Sequence, residues 1–268
     1  MIRLYTEKDF EKMRQAAEIL CQTHLAIKKV IRAGITTKQL DDFANRFIVD
    51  HKGAIPAQLG YGGFPYTLCI SVNDEICHGF PGDYVLKEGD LVSIDNVIEY
   101  NGGLADSCWS YAIGELSDRD QKLMDVTLES LNKSIDQAVP GNRIGDIGHA
   151  IQEYAEVENN FSVIRDFIGH GIGKEMHEDP QVPHYGKANH GQRIQAGMVF
   201  TIEPMIASGK WPMKLDDNGW VARTQDGSTC AQFEHQLIIH EDGPEIITDQ
   251  SKYELTEDDI EFIENYKF

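Results

Sequence analysis

Apolar residues recur at helical spacing twice near the start of the chain. Phe10, Met13, Ala17 and Leu20 form one stripe behind a Thr6-x-x-Asp9 capping signal, and Gly34 supplies the stop. Leu40, Phe43, Phe47 and Ile48 form a second behind Thr36-x-x-Gln39, ending at Gly53. The period then changes. Residues 67–73, TLCISVN, read as a strand and 74–82 as a loop carrying His78. Stretches 90–100 and 104–114 flank Asn101-Gly102, the strongest short hairpin signal. A two-residue turn there pairs Tyr100 with Gly103 and Val97 with Asp106. Asp95 then lies diagonally from Asp106 on one face, roughly 7–8 Å away at Cα. Helical spacing returns from Ser117 to Val139, stopped by Pro140-Gly141, and from Ile144 to Glu158. Residues 198–206, 231–241 and 245–248 read as strands, and the acidic 254–268 as a terminal helix or tail.

Composition narrows the class. At 268 residues the chain can bury a core as one large α/β domain or as two fused halves. A formal charge of −20 argues against direct nucleic-acid binding, which needs clustered Lys and Arg. Cys21, Cys69, Cys77, Cys108 and Cys230 form no CxxC pair, and their odd number fits a reducing compartment. The charged N-terminus offers no signal-peptide core and no run of 18 apolar residues exists, so the expectation is a cytoplasmic protein that spans no membrane.

Candidate chemistry concentrates in residues 168–180, IGHGIGKEMHEDP, where His170 and His177 sit among three glycines. Gly169, Gly171 and Gly173 disfavour a helix and Pro180 forbids its continuation, so an extended or looping backbone is expected. Alternate glycines let a backbone pass close to something, and two nearby imidazoles suggest a metal or a substrate. A glycine-rich turn with solvated histidines is the plain alternative. Neither the P-loop nor the zincin helix pattern fits. GYGGFPY, residues 60–66, is a loop holding more aromatics than a solvated turn requires, although core packing under a loop would also account for them.

A short repeat points the same way. EGDLVSID, residues 88–95, aligns with AGMVFTIE, residues 196–203, matching Gly89 to Gly197 and Asp95 to Glu203. Each acid is followed by another, Asp106 in the first half and Glu234 in the second. Asp95, Asp106, His170, Glu203 and Glu234 cannot share a buried site as bare anions, whereas two divalent cations would balance four carboxylates. Oxygen-rich donors with one imidazole suit Mn²⁺, Fe²⁺, Co²⁺ or Zn²⁺. Ions bridged by carboxylates about 3.5–4 Å apart point to amide or ester hydrolysis.

NDEICHGFPG, SID with an acid eleven residues later, GHGIG, MHEDP, TIEPM and QFEHQ follow in one order from about Gly60 to Gln236. In this the chain resembles the type I methionine aminopeptidases in their simple bacterial form. The resemblance implies an α/β pita-bread fold with pseudo-twofold symmetry, an antiparallel-rich curved sheet and helices on its outer face. Residues 1–268 would be a single catalytic metallopeptidase domain built from two similar halves. Its activity would be removal of the initiator methionine from nascent chains when the second residue is small. By the same resemblance Asp95 would chelate one metal, His170 and Glu203 the other, with Asp106 and Glu234 bridging. Glu203 would also shuttle a proton, and His78 and His177 would contact substrate and the tetrahedral intermediate. Tyr61, Phe64, Cys69, His78 and Trp220 would line the methionine pocket.

Departures from that pattern are Gln58, where a small Cys is common, Met176, where an aromatic is common, and ADSCWS, in which Ser107 keeps a hydroxyl. A monomer acting on nascent N-termini, with the ribosome a transient partner, completes the expectation. Prolidase and aminopeptidase P are rivals within the fold, but only about 60 residues precede the first site loop here. A non-catalytic pita-bread binding protein would have shed metal ligands, and all five are present.

Overall fold

The computed structural model describes residues 2–268. In the first half, α1 (Glu7–Val30) and α2 (Thr37–Asp50) precede strands β1 (Ile55–Pro56), β2 (Cys69–Val72), β3 (Glu75–Cys77), β4 (Leu91–Tyr100) and β5 (Gly103–Ala112). In the second, α3 (Asp118–Ile135) and α4 (Ile144–Gln152) precede β6 (Ser162–Val163), β7 (Gly169–Gly171), β8 (Glu178–Val182), β9 (Val199–Ile202), β10 (Met205–Ala207), β11 (Met213–Leu215), β12 (Ala222–Thr224), β13 (Cys230–Gln232), β14 (His235–His240) and β15 (Gly243–Ile246), with α5 (Glu257–Asn265) at the end. Every strand pairing among the described residues is antiparallel. Antiparallel sheets with helices laid over them are what the pita-bread resemblance implies.

Both helix starts form as their sequences dictate. Asp9 Oδ2 accepts from the Thr6 N–H and hydroxyl, while Gln39 Oε1 accepts from the Thr36 N–H and Thr36 Oγ1 accepts from the Gln39 N–H. The buried stripe of α1 lies on the β4–β5 hairpin, packing Met13 and Ala17 with Val97, Ile98, Leu104 and Ala105. Phe43 and Phe47 of α2 cover Ile70, Val92 and Ile94, while Phe262 of α5 closes over both rings. In the second half Leu123, Leu131 and Ile147 of α3 and α4 cover Phe200, Ile202 and Leu237.

The hairpin register is the expected one, Tyr100↔Gly103 and Val97↔Asp106, because Asn101 and Gly102 both take positive φ, at 51° and 75°. Other boundaries differ. Residues 74–82 are not all loop, since β3 pairs with β12. The stretches 198–206 and 231–241 are each broken in two, at Glu203-Pro204 and at Phe233-Glu234. Pro204 has no N–H to give a ladder, so the strand cannot run through it.

The aligned octapeptides adopt one geometry. Gly89 and Gly197 have φ of 89° and 92°. Their N–H groups reach Ile113 and Ile239 carbonyls at 2.7 and 2.8 Å, and those residues donate back to Asp90 and Met198, each at 2.9 Å. The halves meet where β5 runs beside β13 and β14. There Glu234 N–H donates to the Cys108 carbonyl at 2.9 Å, Asp106 N–H to Gln236 Oε1 at 2.9 Å, and Ser107 Oγ to the Glu234 carbonyl at 2.8 Å. The Ser107 hydroxyl therefore stitches the seam.

Candidate metal centre

Asp95 and Asp106 rise from one face of the β4–β5 ladder. Ile202↔His235 on one side and Met205↔Gln232 on the other place Glu203 opposite Glu234 at the break in the second ladder. Across the seam all four carboxylates converge. His170 Nε2 lies 3.6 Å from Asp106 Oδ2 and 3.5 Å from Glu203 Oε1. Single ligand atoms from Asp106, His170 and Glu234 all fall within 4.8 Å of one another.

Without compensation this arrangement is unfavourable. Burial pushes Asp95 up to about 7, against the hydrogen bond from Gln58. Burial, reinforced by neighbouring carboxylates, holds Asp106, Glu203 and Glu234 well above the usual range. The His170 imidazole is pushed down to about 4, chiefly by burial and then by His177. Its Nδ1 lies 3.1 Å from the Gly171 carbonyl, which can only accept, so that nitrogen carries the proton and Nε2 turns a lone pair on two carboxylates. Asp106 Oδ1 is buried with no hydrogen-bond partner. A lone pair facing anions beside an orphaned carboxylate oxygen is a donor set that fits divalent cations.

Supporting groups fix the donors. Thr201 Oγ1 donates to Glu203 Oε1 at 2.9 Å and accepts from His170 N–H at 3.1 Å. Glu203 N–H donates to His184 Nε2 at 3.2 Å. No local cue marks His184, a lone imidazole in a loop, fully buried and pushed down by that burial to about 3.

All eleven residues expected of the site line a single cavity of about 670 Å³, namely Tyr61, Phe64, Cys69, His78, Asp95, Asp106, His170, His177, Glu203, Trp220 and Glu234. Gln58, Cys77, Phe167, Met205 and Gln232, which carried no local signal for that position or only a departure from pattern, join them. Phe64 packs edge-on against Trp220 at 5.3 Å and Phe80 at 5.4 Å, and His78 against Phe167 at 5.5 Å. Trp220 reaches His78 because the β11–β12 hairpin pairs with β3, the strand missing from the sequence reading. Tyr61 sits half-exposed at the rim, its hydroxyl 2.9 Å from His177 Nδ1, and the rings of His177 and His170 are 4.3 Å apart.

The glycines of GHGIG act differently from expectation. A Cβ on Gly169 would lie 2.4 Å from the Thr201 carbonyl, one on Gly171 2.2 Å from that of Asp179, and one on Gly173 2.1 Å from the Tyr5 ring. The close approach they permit is to neighbouring protein, which brings His170 in, and not directly to a metal or substrate.

The model of metallopeptidase family M24 matches residues 11–241. Methionine aminopeptidase 1 of Bacillus subtilis is 48% identical over 248 residues, covering 92% of this chain and 99% of the relative. The crystal structure of methionine aminopeptidase from Rickettsia prowazekii superposes with a TM-score of 0.90 at 42% identity, over 92% of this chain and 100% of that one. Prolidase from Pyrococcus furiosus shares the fold alone, at 21% identity and a TM-score of 0.73, over 92% of this chain and 65% of that one.

Proposed function

The chain belongs to metallopeptidase family M24, and from its near full-length identity to methionine aminopeptidases we infer that it is one of type I, removing the first methionine of nascent proteins whose second residue is small. Divalent metal use comes with the family. The finer reading is two ions, of Mn, Fe, Co or Zn, with Asp95 holding one, His170 and Glu203 the other, and Asp106 and Glu234 shared. Bound there, the cations would acidify water and offset the negative charge that builds on the scissile carbonyl.

The protein groups do the rest. Glu203, oriented by Thr201 at one oxygen, is placed to take a proton from water and pass it to the leaving amine. The Tyr61 hydroxyl stands 2.9 Å from His177 Nδ1, and in the tautomer where it donates there Nε2 carries the proton and is a donor for the developing oxyanion. His78, whose ring packs edge-on against Phe167 and Trp220, is placed to contact the substrate backbone. Tyr61, Phe64, Cys69 and Trp220 offer an apolar wall for a thioether, which packs well against aromatic edges. The observation that carries the reading is that acids and aromatics share one cavity.

The catalytic unit is read as residues 1–268, two similar halves joined at the seam, acting as a monomer. No helix among the described residues is long and apolar enough to cross a membrane, and all five cysteines are free and buried, which supports a reducing cytoplasm. The nascent chain as substrate makes the ribosome a transient partner.

Met-Ala-Ser, Met-Leu-Ser and Ala-Pro peptides, assayed with chelator and with added Mn²⁺, Fe²⁺ or Co²⁺, test the proposal. Cleavage of Met-Ala-Ser alone, abolished by chelation and restored by metal, is expected. Equal rates on both methionyl peptides would replace it with a general aminopeptidase, preference for Ala-Pro with a proline-directed enzyme, and full activity in protein found metal-free by elemental analysis would remove the mechanism.

A further inference from the structure

Gln58 occupies the cavity wall immediately after β1, where the Ala57 N–H donates to the Val97 carbonyl at 2.8 Å and draws the segment along β4. Only 8% of the residue is exposed. Its Nε2 donates to Asp95 Oδ1 at 2.8 Å and lies 3.5 Å from Cys69 Sγ, the residue directly across the β2–β4 ladder from Asp95. The amide carbonyl, Oε1, is buried without a partner. With Asp95 ionised to hold a cation, turning the amide over would set one oxygen against another. The side chain is therefore held in the orientation that serves Asp95 while its own acceptor goes unsatisfied, which is unfavourable for the fold taken by itself.

We propose that Gln58 is a positioning residue for the Asp95 carboxylate: its amide pins Oδ1 and fixes the plane of the group that would hold the cation. The inference rests on the metallopeptidase reading. Its physical basis is that outer hydrogen-bond partners of metal-holding side chains orient them, and that losing one typically costs about 10- to 100-fold in metal affinity. A neutral amide does this without bringing another charge into a cluster already crowded with carboxylates. The Cys69 sulfur is only a weak acceptor for the same amide, which leaves Asp95 as its main partner.

The test titrates Mn²⁺ alone into chelator-stripped wild type, Gln58→Met, Gln58→Ala and Asp95→Asn, following binding by calorimetry and the thermal midpoint of each stripped protein. Asp95→Asn identifies the binding step that belongs to Asp95. Gln58→Met and Gln58→Ala should weaken that step by about 10- to 100-fold and leave the other within about twofold. The stripped Gln58→Met protein should melt no lower than wild type, because Met keeps the volume and removes the orphaned carbonyl, whereas Gln58→Ala opens a void and melts lower. Opposite effects on stability with the same effect on one Mn²⁺ step are not what a packing residue produces. Wild-type affinity at both steps in either variant, or equal weakening of both steps in proportion to lost stability, would overturn the proposal. A wild-type protein that binds no Mn²⁺ would overturn the metal reading itself, a result distinguishable from either.

Discussion

The two halves carry their acids on ladders of different quality. In the first, ten consecutive pairs run from Leu91↔Ala112 to Tyr100↔Gly103 without a break, and Asp95 and Asp106 stand diagonally on one face. In the second, the ladder stops after Ile202↔His235 and resumes at Met205↔Gln232, so Glu203 and Glu234 emerge from the gap opposite each other. An intact ladder brings two short carboxylates to one face by alternation, leaving Gln58 only the plane of one of them to set. A broken one needs longer side chains and dedicated partners, which Thr201 and His184 supply to Glu203. The first half is stiff by virtue of its backbone, and the second is set by side chains.

The largest effects should come from exchanging reach between the halves. Asp106→Glu pushes an extra methylene into a site fixed by the ladder and should lower kcat/KM by more than the roughly 100-fold upper range for losing a ligand's outer partner. Glu234→Asp withdraws a donor whose surroundings can follow, and about a tenfold loss is expected. Equal losses, measured with metal content for both variants, would erase the distinction between stiff and adjustable halves.

Within the second half, the two histidines should separate. His170→Ala removes a donor and should lower metal stoichiometry, whereas His177→Ala should keep the metal content of wild type and lose roughly 10²- to 10³-fold in kcat, the effect of deleting one transition-state donor. Metal analysis beside kcat at one buffered metal concentration decides this, and the reverse pattern would exchange their roles.

A smaller effect is the pH dependence of the chelator-stripped fold. Asp95 has its folded pKa raised from 3.8 to about 7, so the fold is favoured while the carboxyl is protonated, and that advantage is lost as pH rises through about 7. Its three neighbours have the same sign. Glu245, on which Arg14 closes with two 2.8 Å bonds, is lowered from 4.5 to about 2, so its contribution is present above 4.5 and lost as pH falls through about 2. Buried imidazoles, His170 and His184 among them, act with the opposite sign below about 6.5, so the seam is read above that: the stripped protein should lose thermal stability as pH rises from about 6.5 to 8, and added Mn²⁺ should abolish that decline. A thermal midpoint that rises steadily to pH 8 without metal would contradict the sign at the seam.

The same contrast accounts for what was legible in the chain. Asn101-Gly102 fixes a register locally, so the diagonal of Asp95 and Asp106 could be read residue by residue. The octapeptide repeat likewise anticipated matching glycines because positive φ is a local demand. Nothing local announces the gap at Phe233-Glu234, the pairing of β3 with β12, or His184 beneath Glu203, since each depends on a partner far along the chain. Gln58 was visible only as a residue out of place. Its bond to Asp95 requires knowing that β1 lies against β4.

Asp106 leaves the ribosome 130 residues ahead of the Gln236 amide that accepts its N–H, and Ser107 127 residues ahead of the Glu234 carbonyl. At about 5–20 residues per second the interval is roughly 6–26 s. During it the first hairpin can pair on its own, for its contacts are local, but the strand bearing Glu234 does not yet exist. The scaffold matures early and the chemistry last, so a partly synthesised copy of this protein carries no complete centre with which to cut.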